Sequence, residues 1–283
     1  MKNMILFGAG QIGAMVSRLM GSEYALCCFA DNAEAKWGGA LAGIPVVSPA
    51  ESLRCAPDCV CLCVLDEVRA GQMETQLREL GYGGEILRPD ALRTFDARAA
   101  TMRLLAEQIR DEAVPGDVAE LGVYRGDFAA LINAAFPERR LHLFDTFEGF
   151  REEDIAVEQA GRLSRAGVGD FSETAEDLVA KRLPLPEQAV FHPGFFPDTF
   201  APCMGLRFAF VSIDADLYAP TAAALPLFWD RLSPGGALLI HDVNSTQFTG
   251  VKKAVRAFCR ERNLLPMPVC DLHGSAVLRK PLA

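Results

Sequence analysis

Two short glycine loops, each set between an apolar run and a helix-forming stretch, constrain this chain more than any other feature. Gly8-Ala-Gly10-Gln-Ile-Gly13 follows Met4-Ile-Leu-Phe7, and Glu120-Leu-Gly122-Val-Tyr-Arg-Gly126 follows Val118-Ala119. A strand that turns through glycines into a helix is the first half of a β–α–β unit, whose parallel strands need a crossover. Each loop also has an acid at the end of the next predicted strand. Asp31 stands 18 residues past Gly13, and Asp145 stands 25 residues past Glu120.

The rest of the chain keeps the same alternation. In residues 1–95, strands are expected at 4–7, 24–29, 44–47, 59–65 and 85–87, with helices to about Met20 and near 68–80. A glycine-rich loop, Trp37 to Gly43, precedes the third strand, and Ser48-Pro-Ala-Glu51 reads as a helix start with Ser48 as N-cap, Pro49 at N1 and Glu51 at N3. A helix near 93–112 opens a second domain, 96–283. There strands fall at 118–122, 141–145, 190–193, 207–214 and 237–240, and helices at 126–135, 221–232 and 250–263. Ser233-Pro-Gly-Gly236 reads as a turn, 268–271 and 274–278 as a terminal antiparallel pair, and the polar stretch 148–187 as lid-like helices. The fold class expected is α/β with two Rossmann-like domains, the second longer than the first.

Composition removes several functions. Lys plus Arg number 28 against 37 Asp plus Glu, a net charge of −9, which disfavours nucleic acid or an anionic membrane as partner. No apolar run approaches the roughly 20 residues of a membrane span, and Gly8, Gly10 and Gly13 interrupt what would be a signal-peptide core. A cytoplasmic protein is expected, and a homo-oligomer is left open. The nine cysteines include no C-x-x-C; Cys59, Cys61 and Cys63 alternate inside an apolar strand and read as small buried hydrophobes with reduced thiols.

The first loop has the setting in which glycines let a phosphate approach a helix N-terminus, with Asp31 placed for a ribose diol. Gly8, Gly10, Gly13 and Asp31 are therefore candidate nucleotide-binding residues. In the second loop, Glu120 offers a carboxylate to an ammonium group, Gly122 and Gly126 permit close backbone approach, and Asp145 offers a ribose acceptor. That chemistry suits S-adenosylmethionine. Farther on, Asp214 with Asp216 and His241-Asp242 end two parallel strands, so they share one sheet edge; Asp214, His241 and Asp242 are candidate ligands of Mg²⁺ or another hard ion, with Asn244 nearby. Asp216 reads as a helix cap, His142 and His273 read as structural, and His192, just before Pro193-Gly194, reads as facing the cleft or, more commonly for a single histidine, as structural. Arg125, Lys252 and Lys253 fit a phosphate-bearing acceptor or a solvated surface.

Two resemblances add to this. Asp31-Asn-Ala-Glu-Ala-Lys-Trp-Gly38, Gly43-Ile-Pro-Val46 and Ser48-Pro-Ala-Glu51 resemble the N-terminal Rossmann-like domain of polysaccharide-biosynthesis proteins and PglD-type sugar acyltransferases. That likeness implies a nucleotide or nucleotide sugar held by residues 1–95. Glu120-Leu-Gly-Val-Tyr-Arg-Gly126, Leu143-Phe-Asp-Thr-Phe-Glu-Gly-Phe150, Gly194-Phe-Phe-Pro-Asp-Thr199, Ile213-Asp-Ala-Asp-Leu-Tyr218, Leu232-Ser-Pro-Gly-Gly236 and Gly250-Val-Lys-Lys-Ala-Val255 resemble the macrocin O-methyltransferase (TylF/MycF-type) family. This second likeness runs from about Ala113 to Lys280. It implies a class I methyltransferase fold and Mg²⁺-dependent methyl transfer to a hydroxyl of a small-molecule sugar or glycoside. By position, Glu120, Gly122 and Asp145 would meet the methyl donor, and Asp214 and Asp242 the metal. The family pattern has Asp-Asp where this chain has His241-Asp242, which leaves His241 open as ligand or as general base. Two rival readings stand beside this one. The first is a non-catalytic nucleotide-sugar-binding scaffold or sensor with a degenerate methyltransferase domain; the second, a nicotinamide oxidoreductase, lacks catalytic residues that suit hydride transfer.

Overall fold

The computed structural model describes residues 2–20, 24–88, 96–272 and 274–282. The chain divides into two compact units, Met1–Asp96 with Cys270–His273, and Ala97–Val269 with Gly274–Ala283. His273 lies outside the described residues, as does the predicted helix start before Asp96. Among the described residues, no helix is long and apolar enough to cross a membrane.

Unit 1 contains β1 (Lys2–Phe7), α1 (Gln11–Leu19), β2 (Tyr24–Ala30), β3 (Ala40–Leu41), β4 (Ile44–Val47), α2 (Pro49–Ser52), β5 (Cys59–Leu62), α3 (Glu67–Glu79) and β6 (Glu85–Leu87). The strands lie in the order β3-β4-β2-β1-β5-β6, parallel apart from β3, which pairs antiparallel with β4 inside the loop expected to be irregular. A continuous apolar strand serves a sheet covered on both faces. Met4, Leu6, Cys59 and Cys61 pack on one side, and Ile5, Phe7, Val60 and Leu62 on the other. All nine cysteines are free thiols. The Ser48 hydroxyl accepts the Glu51 N–H at 3.2 Å, the cap expected from the sequence.

Unit 2 contains α4 (Ala97–Asp111), β7 (Asp117–Leu121), α5 (Asp127–Ala135), β8 (Leu141–Asp145), α6 (Glu152–Gly161), α7 (Glu176–Ala180) and β9 (Ala189–Pro193). A 3₁₀ helix (Asp198–Cys203), β10 (Phe208–Ile213), α8 (Tyr218–Arg231), β11 (Leu232–Ile240), α9 (Thr249–Arg262), β12 (Met267–Pro268) and β13 (Ala276–Arg279) complete it. The order is β12-β13-β11-β10-β7-β8-β9, with β13 antiparallel to β11 and β12 antiparallel to β13. β7 has β8 on one side and β10 on the other, so chain order reverses between them and a ligand crevice opens at their carboxyl ends.

Two sequence expectations change. Ser233-Pro-Gly-Gly236 lies inside β11 and is not a turn before it. The irregularity is absorbed as a register shift: Phe208 pairs with Leu232 but Phe210 with Ala237. Gly235 sits at φ +80°, bonded through its N–H to the Lys280 carbonyl and through its carbonyl to the Arg279 guanidinium. The 148–187 segment does form short helices, yet they pack into the core. Ile155 of α6 joins the cluster of Phe144, Phe228 and Ile240, and Val179 of α7 joins that of Ile132, Leu143 and Phe210.

Candidate active site at the carboxyl edge of unit 2

Backbone hydrogen bonds carry each strand one residue beyond its end and so set the edge. Gly122 N–H donates to the Phe144 carbonyl (2.9 Å), Asp214 N–H to Leu121 (2.8 Å) and His241 N–H to Ile213 (2.8 Å). Past that line the chain turns sharply. Tyr124, Phe147, Asp216 and Asp242 all have φ between 48° and 56°, which is unusual for residues with a Cβ. Gly122 needs to be glycine twice over: its φ is +82°, and a Cβ there would lie 1.9 Å from the Asp214 carbonyl oxygen.

Glu120, Gly122, Gly126 and Asp145 come together around this turn. Asp145 Oδ2 accepts the N–H groups of Val123 (2.7 Å) and Tyr124 (2.9 Å), and Oδ1 accepts that of Phe147 (2.8 Å). The acid read as a ribose acceptor thus also shapes the loop. Glu120 is 1% exposed and its Oε2 has no hydrogen-bond partner. Burial pushes its carboxyl well above the usual range, the nearby Asp214 and Asp145 add to that, and Arg98 opposes it. That buried oxygen beside the glycine turn is a polar group the protein itself leaves unmatched.

The second group also assembles. Ligand atoms of Asp214, His241 and Asp242 all lie within 4.8 Å of one another. His241 Nδ1 is 2.9 Å from Asp214 Oδ1 and 3.1 Å from Asp242 Oδ2. Burial alone would lower the His241 pKa, but Asp214 together with bonds to Asp214 and Asp242 raises it to about 10. The imidazole is therefore protonated at neutral pH, and its proton holds the two carboxylates together. Asp214 is held below the usual carboxylate range against its own desolvation by His241 and Arg98. Asp216, read from sequence as a cap, belongs to this group: burial, Asp214 and Asp242 push its carboxyl up. Asn244 turns away, its amide donating to the Gly274 carbonyl at 3.4 Å.

Arg98 is the residue that sequence reasoning missed. From the first turn of α4 its Nη1 donates to Asp214 Oδ2 (2.9 Å) and its Nη2 to Ser212 Oγ (3.2 Å), while the guanidinium lies 3.9 Å from the Phe128 ring centre. Nothing local marks an arginine in a polar helix as the partner of an acid 116 residues away. Arg125 is drawn to Glu173, and Lys253 lies over the Tyr218 ring.

In unit 1, Gly8, Gly10, Gly13 and Asp31 also come together. Gly8 has φ +119°, and a Cβ on Gly13 would lie 2.1 Å from the Gly8 carbonyl oxygen. Asp31 is engaged, however. Its Oδ2 accepts Ala9 N–H and Lys36 Nζ, both at 2.8 Å, and its Oδ1 accepts Ala33 N–H at 2.8 Å. Burial would raise its pKa, but these bonds hold it below the usual range.

Known proteins agree with unit 2. A solved structure of the O-methyltransferase NovP shares the fold, with a TM-score of 0.53 at 23% identity over 65% of this chain and 80% of that one. The 8-demethyl-8-(2,3-dimethoxy-alpha-L-rhamnosyl)-tetracenomycin-C 4'-O-methyltransferase of Streptomyces olivaceus is 30% identical over 191 residues, 64% of this chain and 71% of that protein. The mycinamicin III 3''-O-methyltransferase of Micromonospora griseorubida is 31% identical over 157 residues, 51% of this chain and 62% of that protein. The macrocin-O-methyltransferase (TylF) profile matches residues 67–280, beginning inside unit 1 and running through unit 2. The chain therefore belongs to the macrocin O-methyltransferase family and is an S-adenosylmethionine-dependent O-methyltransferase.

Proposed function

We propose that unit 2 methylates a hydroxyl of a sugar carried on a small glycoside or a nucleotide, in cytoplasmic natural-product or polysaccharide biosynthesis. The observation that carries this reading is the pairing, across one crevice, of a donor cradle with an acid–imidazole group. S-adenosylmethionine supplies an electrophilic methyl on a sulfonium. The chain fits it: the partnerless Glu120 Oε2 suits the ammonium, Gly122 and Gly126 let the loop turn tightly against Asp214 and Val179, and Asp145 keeps one acceptor site for a ribose hydroxyl. The two tetracenomycin and mycinamicin relatives named above support a sugar acceptor.

A divalent ion fits the second group, because one ligand atom from each of three residues lies within 4.8 Å of the others. Asp214, His241 and Asp242 would hold it, and it would lower the pKa of a bound hydroxyl. One imidazole with two carboxylates suits Mn²⁺ as well as Mg²⁺. His241 can act as ligand or base only after losing its own proton, which a neighbouring dication favours. Arg98, 2.9 Å from Asp214, adds to His241 in favouring the ionised carboxylate. For unit 1, we propose a nucleotide or nucleotide sugar at Gly8, Gly10, Gly13 and Asp31, the loop being open at Gly10, where a Cβ would meet nothing within 4 Å.

Calorimetric titration with S-adenosylhomocysteine tests the donor site; low-micromolar binding is expected, and no binding by folded protein would sink the proposal. Turnover of nucleotide-sugar and glycoside acceptors, with and without chelator, tests the rest. A chelator should reduce turnover at least about 100-fold without weakening S-adenosylhomocysteine.

A further inference from the structure

A second set of metal-ligating side chains lies within unit 2, apart from the crevice. His142 is on β8, His192 on β9 and Cys203 at the end of the 3₁₀ helix. In the parallel register His192 pairs with Phe144, and His142 is two residues before Phe144, so both imidazoles emerge on one face of the sheet. All three side chains are buried, at 5%, 9% and 0% exposure. His142 Nδ1 lies 2.9 Å from His192 Nε2, and Cys203 Sγ lies 3.7 Å and 3.6 Å from those same two atoms.

We propose that His142 Nδ1, His192 Nε2 and Cys203 Sγ bind one borderline-soft transition-metal ion of the zinc class, fastening β8, β9 and the 3₁₀ helix together. Geometry is the first support. Zinc with nitrogen at about 2.0–2.1 Å and sulfur at about 2.3 Å, at tetrahedral angles, sets N–N edges of about 3.3–3.4 Å and N–S edges of about 3.5–3.6 Å. The two N–S edges are already there, and the N–N edge needs to open by about 0.4 Å. Orientation is the second. Asp117 Oδ2 lies 3.2 Å from His142 Nε2, so that nitrogen carries the proton and Nδ1 presents its lone pair to the other two groups. A carboxylate behind a histidine is the outer-shell arrangement that fixes a ligand's tautomer and raises its basicity.

The two imidazoles are preset for this, whereas the thiol must give up its proton on binding. Burial lowers the pKa of both imidazoles, that of His192 to about 4 with help from His142, so both are neutral ligands at physiological pH. Burial pushes the Cys203 thiol up to about 11. On binding, the Cys203 S–H bond breaks, the proton passes to solvent and the sulfur lone pair bonds the cation; the His192 proton moves from Nε2 to Nδ1, with no change of oxidation state. A dication with one thiolate leaves a single positive charge, which faces Asp117 through His142. Phe144 stacks on His192 at 4.4 Å and Phe208 meets His142 edge-on at 5.7 Å, an apolar lining that disfavours strongly hydrated ions such as Mg²⁺. The site is thus opposite in character to the carboxylate-rich crevice.

The test strips the full chain with chelator and titrates Co²⁺. A thiolate-to-cobalt charge-transfer band is expected, saturating at one equivalent of this site, abolished in Cys203→Ala and kept in Asp242→Ala. X-ray absorption of the zinc-loaded wild type, which needs no variant to fold, should show one sulfur and two imidazoles around the metal. Zinc should also raise the Tm of wild type but not of Cys203→Ala. The proposal is overturned by the lack of a charge-transfer band in wild type, by a band that survives Cys203→Ala, or by a zinc shell of oxygen and nitrogen alone.

Discussion

The two glycine loops share one plan and differ in what their acids are doing. Asp31 of unit 1 accepts three hydrogen bonds, holding its own loop through Ala9 and Ala33 and paired with the Lys36 cation at 2.8 Å. Asp145 of unit 2 accepts three backbone N–H groups but carries no cation, and beside it Glu120 is left with a buried oxygen that bonds nothing. The same pattern of strand, glycines, helix and acid thus produces one loop whose acid is paired with a cation and one that leaves a buried carboxyl oxygen unmatched. A site is recognised less by its motif than by the polar groups the fold leaves unmatched.

The largest effect should come from the crevice. Asp242→Ala is expected to reduce turnover at least about 1,000-fold in a radiolabelled methyl-transfer assay, with S-adenosylhomocysteine affinity within about threefold of wild type. Near-full activity would remove Asp242 from the reaction. Next come the glycines themselves. Gly122→Ala places a Cβ 1.9 Å from a backbone oxygen at φ +82°, and should cost about 3 kcal/mol or more in denaturant unfolding. Gly10→Ala, which meets nothing within 4 Å, should stay within about 0.5 kcal/mol of wild type.

Donor affinity separates the acids. Asp145→Ala should weaken S-adenosylhomocysteine by about 100-fold in calorimetry, whereas Asp31→Ala should change it by less than about twofold. Equal effects would erase the distinction between the loops.

A pH test follows from Asp154, whose pKa is raised to about 6 by burial and by Glu153 and Glu158, against Arg151. The folded state holds this proton more tightly than the unfolded one. Its favourable contribution is therefore full below about pH 4 and lost as pH rises through 6. Asp154→Asn should flatten that slope and stabilise the protein by about 1–2 kcal/mol at pH 7.5, measured by thermal unfolding. Asp31 has the opposite sign, since its lowered pKa favours the folded state above its unfolded value.

The smallest effect tests unit 1. Lys36→Ala leaves Asp31 Oδ2 with the Ala9 N–H alone, and nucleotide-diphosphate affinity at unit 1 should change by roughly two- to fivefold, about 0.4–1 kcal/mol. No binding to either protein would end the nucleotide reading of unit 1.

The local chain told much of this in advance. Strand and helix alternation, the Ser48 cap, the buried alternating cysteines and the edge positions of Glu120, Asp145, Asp214 and Asp242 follow from side-chain periodicity and from backbone angles that only some residues adopt. Those are properties of neighbouring residues, and a sequence displays neighbours directly. Tertiary structure decided the rest. It set Arg98 against Asp214, gave His241 its proton, turned Asp216 into a member of the site and drew Pro234-Gly235-Gly236 into β11. It also brought His142, His192 and Cys203 to one point. Each of these depends on burial or on partners far apart in the chain, and the energy of a charge, a tautomer or a ligand set is fixed only when desolvation and partner arrive together.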